Sequence, residues 1–272
     1  SPAMHNAAFD ALGLNWRYIP LPVHPTQVGA AVRGLVALGF QGCNVTVPHK
    51  QAVIPVLDSV APDAAAFGAV NTIIVERNED GAATIKGDNT DYQGFVGSLR
   101  SAGFEPEGKK VVVVGAGGGA RAVVFGLLRA GAEEVLVSDL VPEQAQALVT
   151  SLEDARLREM PATTGALVES AHAADLLVNA TPVGMTPKVD GSIWPEGVPV
   201  PSNLTVFDLV YNPLETKLLK QVRDAGGRAI AGLDMLVRQG AVSFEMWTGV
   251  EPPIDVMRAA CEEGMGVGKG GK

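Results

Sequence analysis

The stretch that decides the fold reads Val111-Val112-Val113-Val114-Gly115-Ala116-Gly117-Gly118-Gly119-Ala120-Arg121-Ala122. Four consecutive valines make a short apolar run of strand length, and a helical pattern follows the glycines through Ala130. Small residues let the backbone come close to a pyrophosphate, and the start of the helix offers free N–H groups and the positive end of a dipole. Glycines alone are a weak signal. Here the strand precedes and the helix follows, and Gly115-x-Gly117-x-x-Ala120 has the spacing of the dinucleotide-binding turn in its Gly/Ala form. Gly115, Ala116, Gly117, Gly118, Gly119 and Ala120 are therefore expected to hold a nucleotide cofactor.

Outward from this loop, strand-length runs alternate with helical stretches. Strands are expected at 44–47, 70–76, 83–86, 110–114, 134–138, 176–178, 205–207 and 228–230. Helices are expected at 28–38, from Pro48 to about 57, at 92–102, 120–130, from Pro142, and at 215–224, 233–247 and 254–262. Asn78-Glu79-Asp80-Gly81 reads as a hairpin turn. The Gly/Lys-rich end, 264–272, reads as frayed. The alternation implies an α/β chain with a largely parallel sheet, broken into domains near 91–108.

Composition narrows the function. With 272 residues, about two domains are expected. The 47% hydrophobic content permits a sizeable core. Thirty acidic against 21 basic residues give a net charge of −9. That argues against nucleic acid as a partner and gives no support for attraction to anionic membranes. No apolar run reaches a membrane span and no signal peptide is visible, so a soluble cytoplasmic protein is expected. Cys43 and Cys261 are too few for a disulfide framework. His5, His24, His49 and His172 are dispersed, and a metal site is not expected. His49 reads as a surface residue at a helix start, Cys43 as a small strand residue.

Asp139 stands 24 positions after Gly115, near the expected place of the carboxylate that binds the adenine ribose. No Lys or Arg lies between Arg129 and Arg156. A 2′-phosphate beside Asp139 would meet a like charge, costing about 1 kcal/mol in water and about 4 at an effective dielectric of 20. The expectation is therefore a preference for NAD, with NADP possible.

Three polar clusters precede the glycine loop: Asn44-Val45-Thr46-Val47-Pro48-His49-Lys50, Gly68-Ala69-Val70-Asn71-Thr72 and Gly87-Asp88-Asn89-Thr90-Asp91. A lysine at a helix start is electrostatically poor, because that end is already positive. Lys50 thus invites a functional reading, although a lone lysine is usually solvated. A lysine and a carboxylate near a nicotinamide form a proton-transfer pair for alcohol/carbonyl chemistry.

Taken in order, these clusters, Asn179-Ala180-Thr181, Asp208 with Tyr211-Asn212-Pro213, and Gly232-Leu233-Asp234-Met235-Leu236-Val237 with Gln239 resemble the shikimate dehydrogenase family over nearly the whole chain. The resemblance implies NAD(P)-dependent interconversion of 3-dehydroshikimate and shikimate. It implies a Rossmann-type dinucleotide-binding domain, 92–232, inside a discontinuous α/β substrate domain, 1–91 completed by 233–272. Lys50 would be the catalytic lysine and Asp91 its partner. Ser1, Asn44, Thr46, Asn71, Tyr211 and Gln239 would bind substrate. Asn179, Ala180, Thr181, Leu209, Gly232 and Met235 would line the nicotinamide. The implied ligand is a small molecule, shikimate or quinate, and the protein a monomer or homodimer.

Two departures stand out. The chain starts inside the family's Ser-x-Ser-Pro motif, so an earlier strand and serine are expected to precede Ser1 in a longer chain. Ser138-Asp139-Leu140 replaces the basic Asn-Arg-Thr-type element of NADP-using members and resembles the NAD-using quinate/shikimate branch. Against that branch, Ser1 stands where quinate-active members often carry Thr. A nucleotide-binding regulatory protein without turnover is the alternative of another class, and retention of both Lys50 and Asp91 argues against it.

Overall fold

The computed structural model describes residues 1–265. Most of the end expected to fray, 266–272, lies outside them, and Gly264 is still helical. The chain forms two compact units, Ser1–Asp91 with the chain from Val237, and Tyr92–Leu236.

The first unit begins with α1 (Pro2–Ala11), whose proline sits in the first turn, where its missing N–H costs nothing. It continues through α2 (Val28–Ala37), β1 (Gly42–Asn44), β2 (Ser59–Val60), α3 (Pro62–Ala66), β3 (Thr72–Arg77) and β4 (Ala83–Asp88). The sheet order is β1-β3-β4-β2. Only β2 and β4 run parallel; β1–β3 and β3–β4 are antiparallel. The hairpin expected at Asn78–Gly81 joins β3 and β4, a short turn that can link only antiparallel neighbours, so the largely parallel sheet expected of the chain lies in the second unit. Val28, Val32, Ile73, Val75 and Ile85 lie in its core. Neither α1 nor α3 was expected from the sequence.

The helix expected from Pro48 to about 57 does not form. The chain turns through this stretch, and only Ile54–Val56 closes a short 3-10 turn. Pro55 supplies the reason: inside a helix it removes an N–H and clashes with the carbonyl four residues back. The strand expected at 44–47 is also short, ending at Asn44.

The second unit runs α4 (Asp91–Ser101), β5 (Lys110–Val114), α5 (Gly118–Arg129), β6 (Glu134–Ser138), α6 (Pro142–Leu152), β7 (Leu157–Glu159), α7 (Thr164–His172), β8 (Leu176–Asn179), β9 (Thr205–Asp208), α8 (Lys217–Asp224) and β10 (Arg228–Ala231). The chain returns to the first unit within α9 (Leu233–Thr248) and ends its described part with α10 (Ile254–Gly264). The six strands are all parallel, in the order β10-β9-β8-β5-β6-β7. Val111 and Val113 enter one core with Val135, Val178 and Phe207; Val112 enters another with Leu177, Val206 and Trp194. Burial on both faces is why β5 reads as an unbroken valine run. Strand order reverses between β5 and β8, and ligands of such sheets bind beside that switch, at the carboxyl ends of the strands. The short β7 and α7 were not expected.

Candidate active site

The second unit builds a nucleotide cradle at the ends of β5 and β6. Gly115 has φ +109°, and a Cβ there would come within 2.8 Å of the Ala180 carbonyl oxygen. Only glycine fits. Gly117 precedes α5, and a Cβ there would meet no protein atom within 4 Å. The first turn of α5, with Gly118, Gly119 and Ala120, directs N–H groups without intrahelical partners at that open backbone. A cavity of about 220 Å³ lies alongside, lined by Asp139, Pro142, Ala145, Glu159, Met160, Pro161 and Ala162. These features fit a pyrophosphate on the helix start and a flat base beside it.

The loops after β8 and β9 are braced from within. Asn179 is fully buried; its Nδ2 donates to Asp208 Oδ1 (2.9 Å) and to the Val183 carbonyl (3.2 Å). Its Oδ1 accepts from the Thr181 backbone N–H (3.1 Å) and hydroxyl (2.6 Å). Asp208 also accepts from the Thr216 hydroxyl at 2.6 Å and the Val210 N–H at 3.0 Å. Burial pushes the Asp208 carboxyl above the usual range, against the pull of those donors. Leu209 follows, its N–H bonded to the Asn179 carbonyl at 2.9 Å. Gly232 passes so close that a Cβ would meet the Leu209 carbonyl oxygen at 2.4 Å. Met235 lies in the core of this unit, and Tyr211 is exposed on the loop.

The first unit gathers the other expected residues into one hydrogen-bond network. Lys50 Nζ donates to Asp91 Oδ2 at 2.5 Å, with both side chains largely buried. Lys50 lies in a turn, so the argument from a costly helix start does not apply. What holds it is the Lys50 carbonyl, which accepts from Val70 N–H at 2.8 Å, one residue before Asn71. His49 likewise is no helix-start surface residue; its Nε2 pairs with the Val23 carbonyl at 2.9 Å. Asp91 opens α4, where a carboxylate suits the helix dipole. Its second oxygen accepts from Asn71 Nδ2 at 2.8 Å. Asn71 Nδ2 also faces Thr90 Oγ1 (3.1 Å) and Gln239 Oε1 (3.3 Å). Asn44 reaches the same cluster through Thr72 and Ser243. Thr46 and Ser1 are exposed.

Sequence reasoning gave no role to Tyr18, Thr72, Thr90 or Ser243. Thr72 and Thr90 adjoin Asn71 and Asp91 within the quoted motifs. Ser243 is four residues from Gln239 on α9, on the same face, which was a usable signal. Tyr18 carried none. Among the described residues, no group of three or more His, Cys, Asp or Glu side chains could hold a metal ion. No described helix is long and apolar enough to cross a membrane.

Comparison with known proteins follows the same outline. Residues 1–73 match the shikimate dehydrogenase substrate binding domain, and residues 232–262 the shikimate 5′-dehydrogenase C-terminal domain. The chain is 48% identical to the shikimate dehydrogenase (NADP(+)) of Moorella thermoacetica, covering 100% of this chain and 91% of that protein. It is similar to the shikimate 5-dehydrogenase of Listeria monocytogenes, solved with shikimate and NAD (TM-score 0.87, 30% identity, 96% of this chain and 91% of that one). It is also similar to that of Thermus thermophilus, solved with NADP(H) and shikimate (TM-score 0.80, 37% identity, 96% and 93%).

The NADP(+) relatives, between 40 and 48% identical, overturn the expected preference for NAD. The physical reason lies in where the Asp139 carboxylate points. Oδ2 accepts from the Ala116 N–H at 2.8 Å and Oδ1 from the Val141 N–H at 2.9 Å. Both oxygens thus turn inward onto backbone N–H groups that brace the glycine loop, whereas the expected repulsion needs the carboxylate to face a 2′-phosphate.

Proposed function

This chain belongs to the shikimate dehydrogenase family, and from that we propose that it interconverts 3-dehydroshikimate and shikimate with NADP. The observation that carries the reading is the Lys50–Asp91 pair, held at 2.5 Å with Asn71 on the other carboxylate oxygen. The nicotinamide, when bound, supplies or accepts the hydride. Lys50 Nζ gives a proton to the alkoxide that develops on reduction of the ketone and takes it back in oxidation. Asp91 holds the amine in place and accepts from a substrate hydroxyl. Asn71 spends its amide hydrogens on Asp91 and its neighbours, and acts by fixing that carboxylate. Ser1, Asn44, Thr46 and Gln239 hold the substrate carboxylate and ring hydroxyls, and Tyr211 contributes a hydroxyl on the carboxylate side.

In this reading the first unit takes the substrate, and the second takes NADP on Gly115–Ala120 and the loops at Asn179–Thr181, Leu209 and Gly232. The enzyme works in the cytoplasm, as a monomer or homodimer. Steady-state turnover of shikimate and of quinate, each with NADP, tests it. Reduction of NADP by shikimate is expected, and its absence overturns the reading. Lys50→Ala should lower kcat by about 10²- to 10⁴-fold while changing the shikimate KM far less. An intact kcat would remove Lys50 from proton transfer.

A further inference from the structure

Asn44 is held at both ends of its carboxamide by residues to which the motifs assign no role. Its Nδ2 lies 3.0 Å from Ser243 Oγ, 3.3 Å from Thr72 Oγ1 and 3.3 Å from the Asn71 carbonyl. Its Oδ1 accepts from the Tyr18 hydroxyl at 3.1 Å. The Asn71 carbonyl can only accept, so the amide nitrogen must face it. Two amide hydrogens then meet three acceptors, all inside the protein. Asn44 can therefore meet a ligand only through Oδ1, which the His5 ring also approaches.

Both holding groups are themselves fixed. Ser243 is fully buried and donates to the Gln239 carbonyl at 3.0 Å, one turn back on α9. That leaves its oxygen to receive Asn44 Nδ2. The Tyr18 ring stacks on His5, with centroids 4.6 Å apart and planes 11° from parallel. Burial pushes the Tyr18 hydroxyl up to about 12, so it keeps its proton and donates at working pH.

We propose that Tyr18 and Ser243 are positioning residues that lock the Asn44 carboxamide nitrogen-inward, so that Asn44 meets a substrate hydroxyl as a hydrogen-bond acceptor. The inference rests on the reading of Asn44 as a substrate-binding residue. Without Tyr18 or Ser243 the amide keeps only the longer 3.3 Å contacts to the Asn71 carbonyl and Thr72 on its nitrogen side, or loses the bond on its oxygen side, and its acceptor oxygen is aimed less firmly.

Kinetics of four variants test this: Asn44→Ala, Tyr18→Phe, Ser243→Ala, and Tyr18→Phe combined with Asn44→Ala. Tyr18→Phe removes one oxygen and keeps the ring on His5, so it decides the matter if Ser243→Ala does not fold. One neutral hydrogen bond corresponds to roughly a three- to ten-fold rise in shikimate KM for each single variant. The NADP KM should stay within about two-fold, a split that a general loss of structure would not give. The double variant should be no worse than Asn44→Ala alone, since Tyr18 acts through Asn44. If Asn44→Ala raises KM but Tyr18→Phe and a folded Ser243→Ala do not, the inference fails alone. If Asn44→Ala has no effect, the substrate reading of Asn44 fails and takes the inference with it. Multiplying effects in the double variant would also overturn it.

Discussion

His5 is a fully buried imidazole among the rings of Phe9, Tyr18, Phe244 and Trp247, with the Asn44 side chain nearby, and among the described residues neither ring nitrogen has a partner at hydrogen-bond distance. Burial pushes its pKa down to about 3 from 6.5. The unfolded chain therefore binds a proton that the folded chain refuses between those values. Stability is full above pH 6.5 and falls as pH drops toward 3. The loss approaches about 5 kcal/mol by the low end. His5→Phe should flatten that dependence. Urea unfolding at pH 7 and pH 4 checks it: the wild type should lose several kcal/mol more than the variant, and equal losses would show that the ring is not held neutral. Nothing in the sequence marked His5 as buried, because a lone histidine on a helix reads the same in water or in a core. Lys50 and Asp91 were legible because each sits in a dense polar motif. Tyr18 sits among loop residues with no such signal, Ser243 had only its helical spacing from Gln239, and their contacts with Asn44 appear only where chain segments up to 199 positions apart meet.

At the level of elements, the glycine loop shows how one side chain can serve the backbone. Asp139 bonds the N–H groups of Ala116 and Val141 and so ties the end of β6 to the turn after β5. Hydrogen bonds to a charged acceptor contribute about 1.5–3 kcal/mol. Asp139→Ala should raise the NADP KM by roughly ten-fold, with the shikimate KM unchanged. An unchanged NADP KM would show that the loop stands without Asp139. The second unit's main strands and helices were legible because burial on both faces leaves continuous apolar runs between turn residues. In the first unit the segment 48–57 misled, since Pro48 suits a helix start while Pro55 forbids its interior. The short β2 and β7 are two and three residues long, too short to carry a period.

The whole molecule is two units joined by two crossings of the chain, within α4 and within α9. A cofactor that binds only the folded state stabilises by mass action. NADP at about 100 times its Kd should add about 2.7 kcal/mol. That is a rise in Tm of roughly 5–10 °C. A thermal shift titration with NADP measures it, and no shift would count against the nucleotide cradle. The family resemblance implied the Lys50–Asp91 pairing; by itself the sequence determined the α/β class, the parallel sheet around Val111–Val114 and the glycine turn. These depend on local spacing and on motifs whose residues lie close together. Only the tertiary structure decided how β1 and β2 flank the hairpin of the first unit, the inward turn of Asp139 onto backbone N–H groups, and the clamp of Tyr18 and Ser243 on Asn44. Each is a matter of direction: a sequence says which polar atoms exist, and packing alone says which of them are already spent.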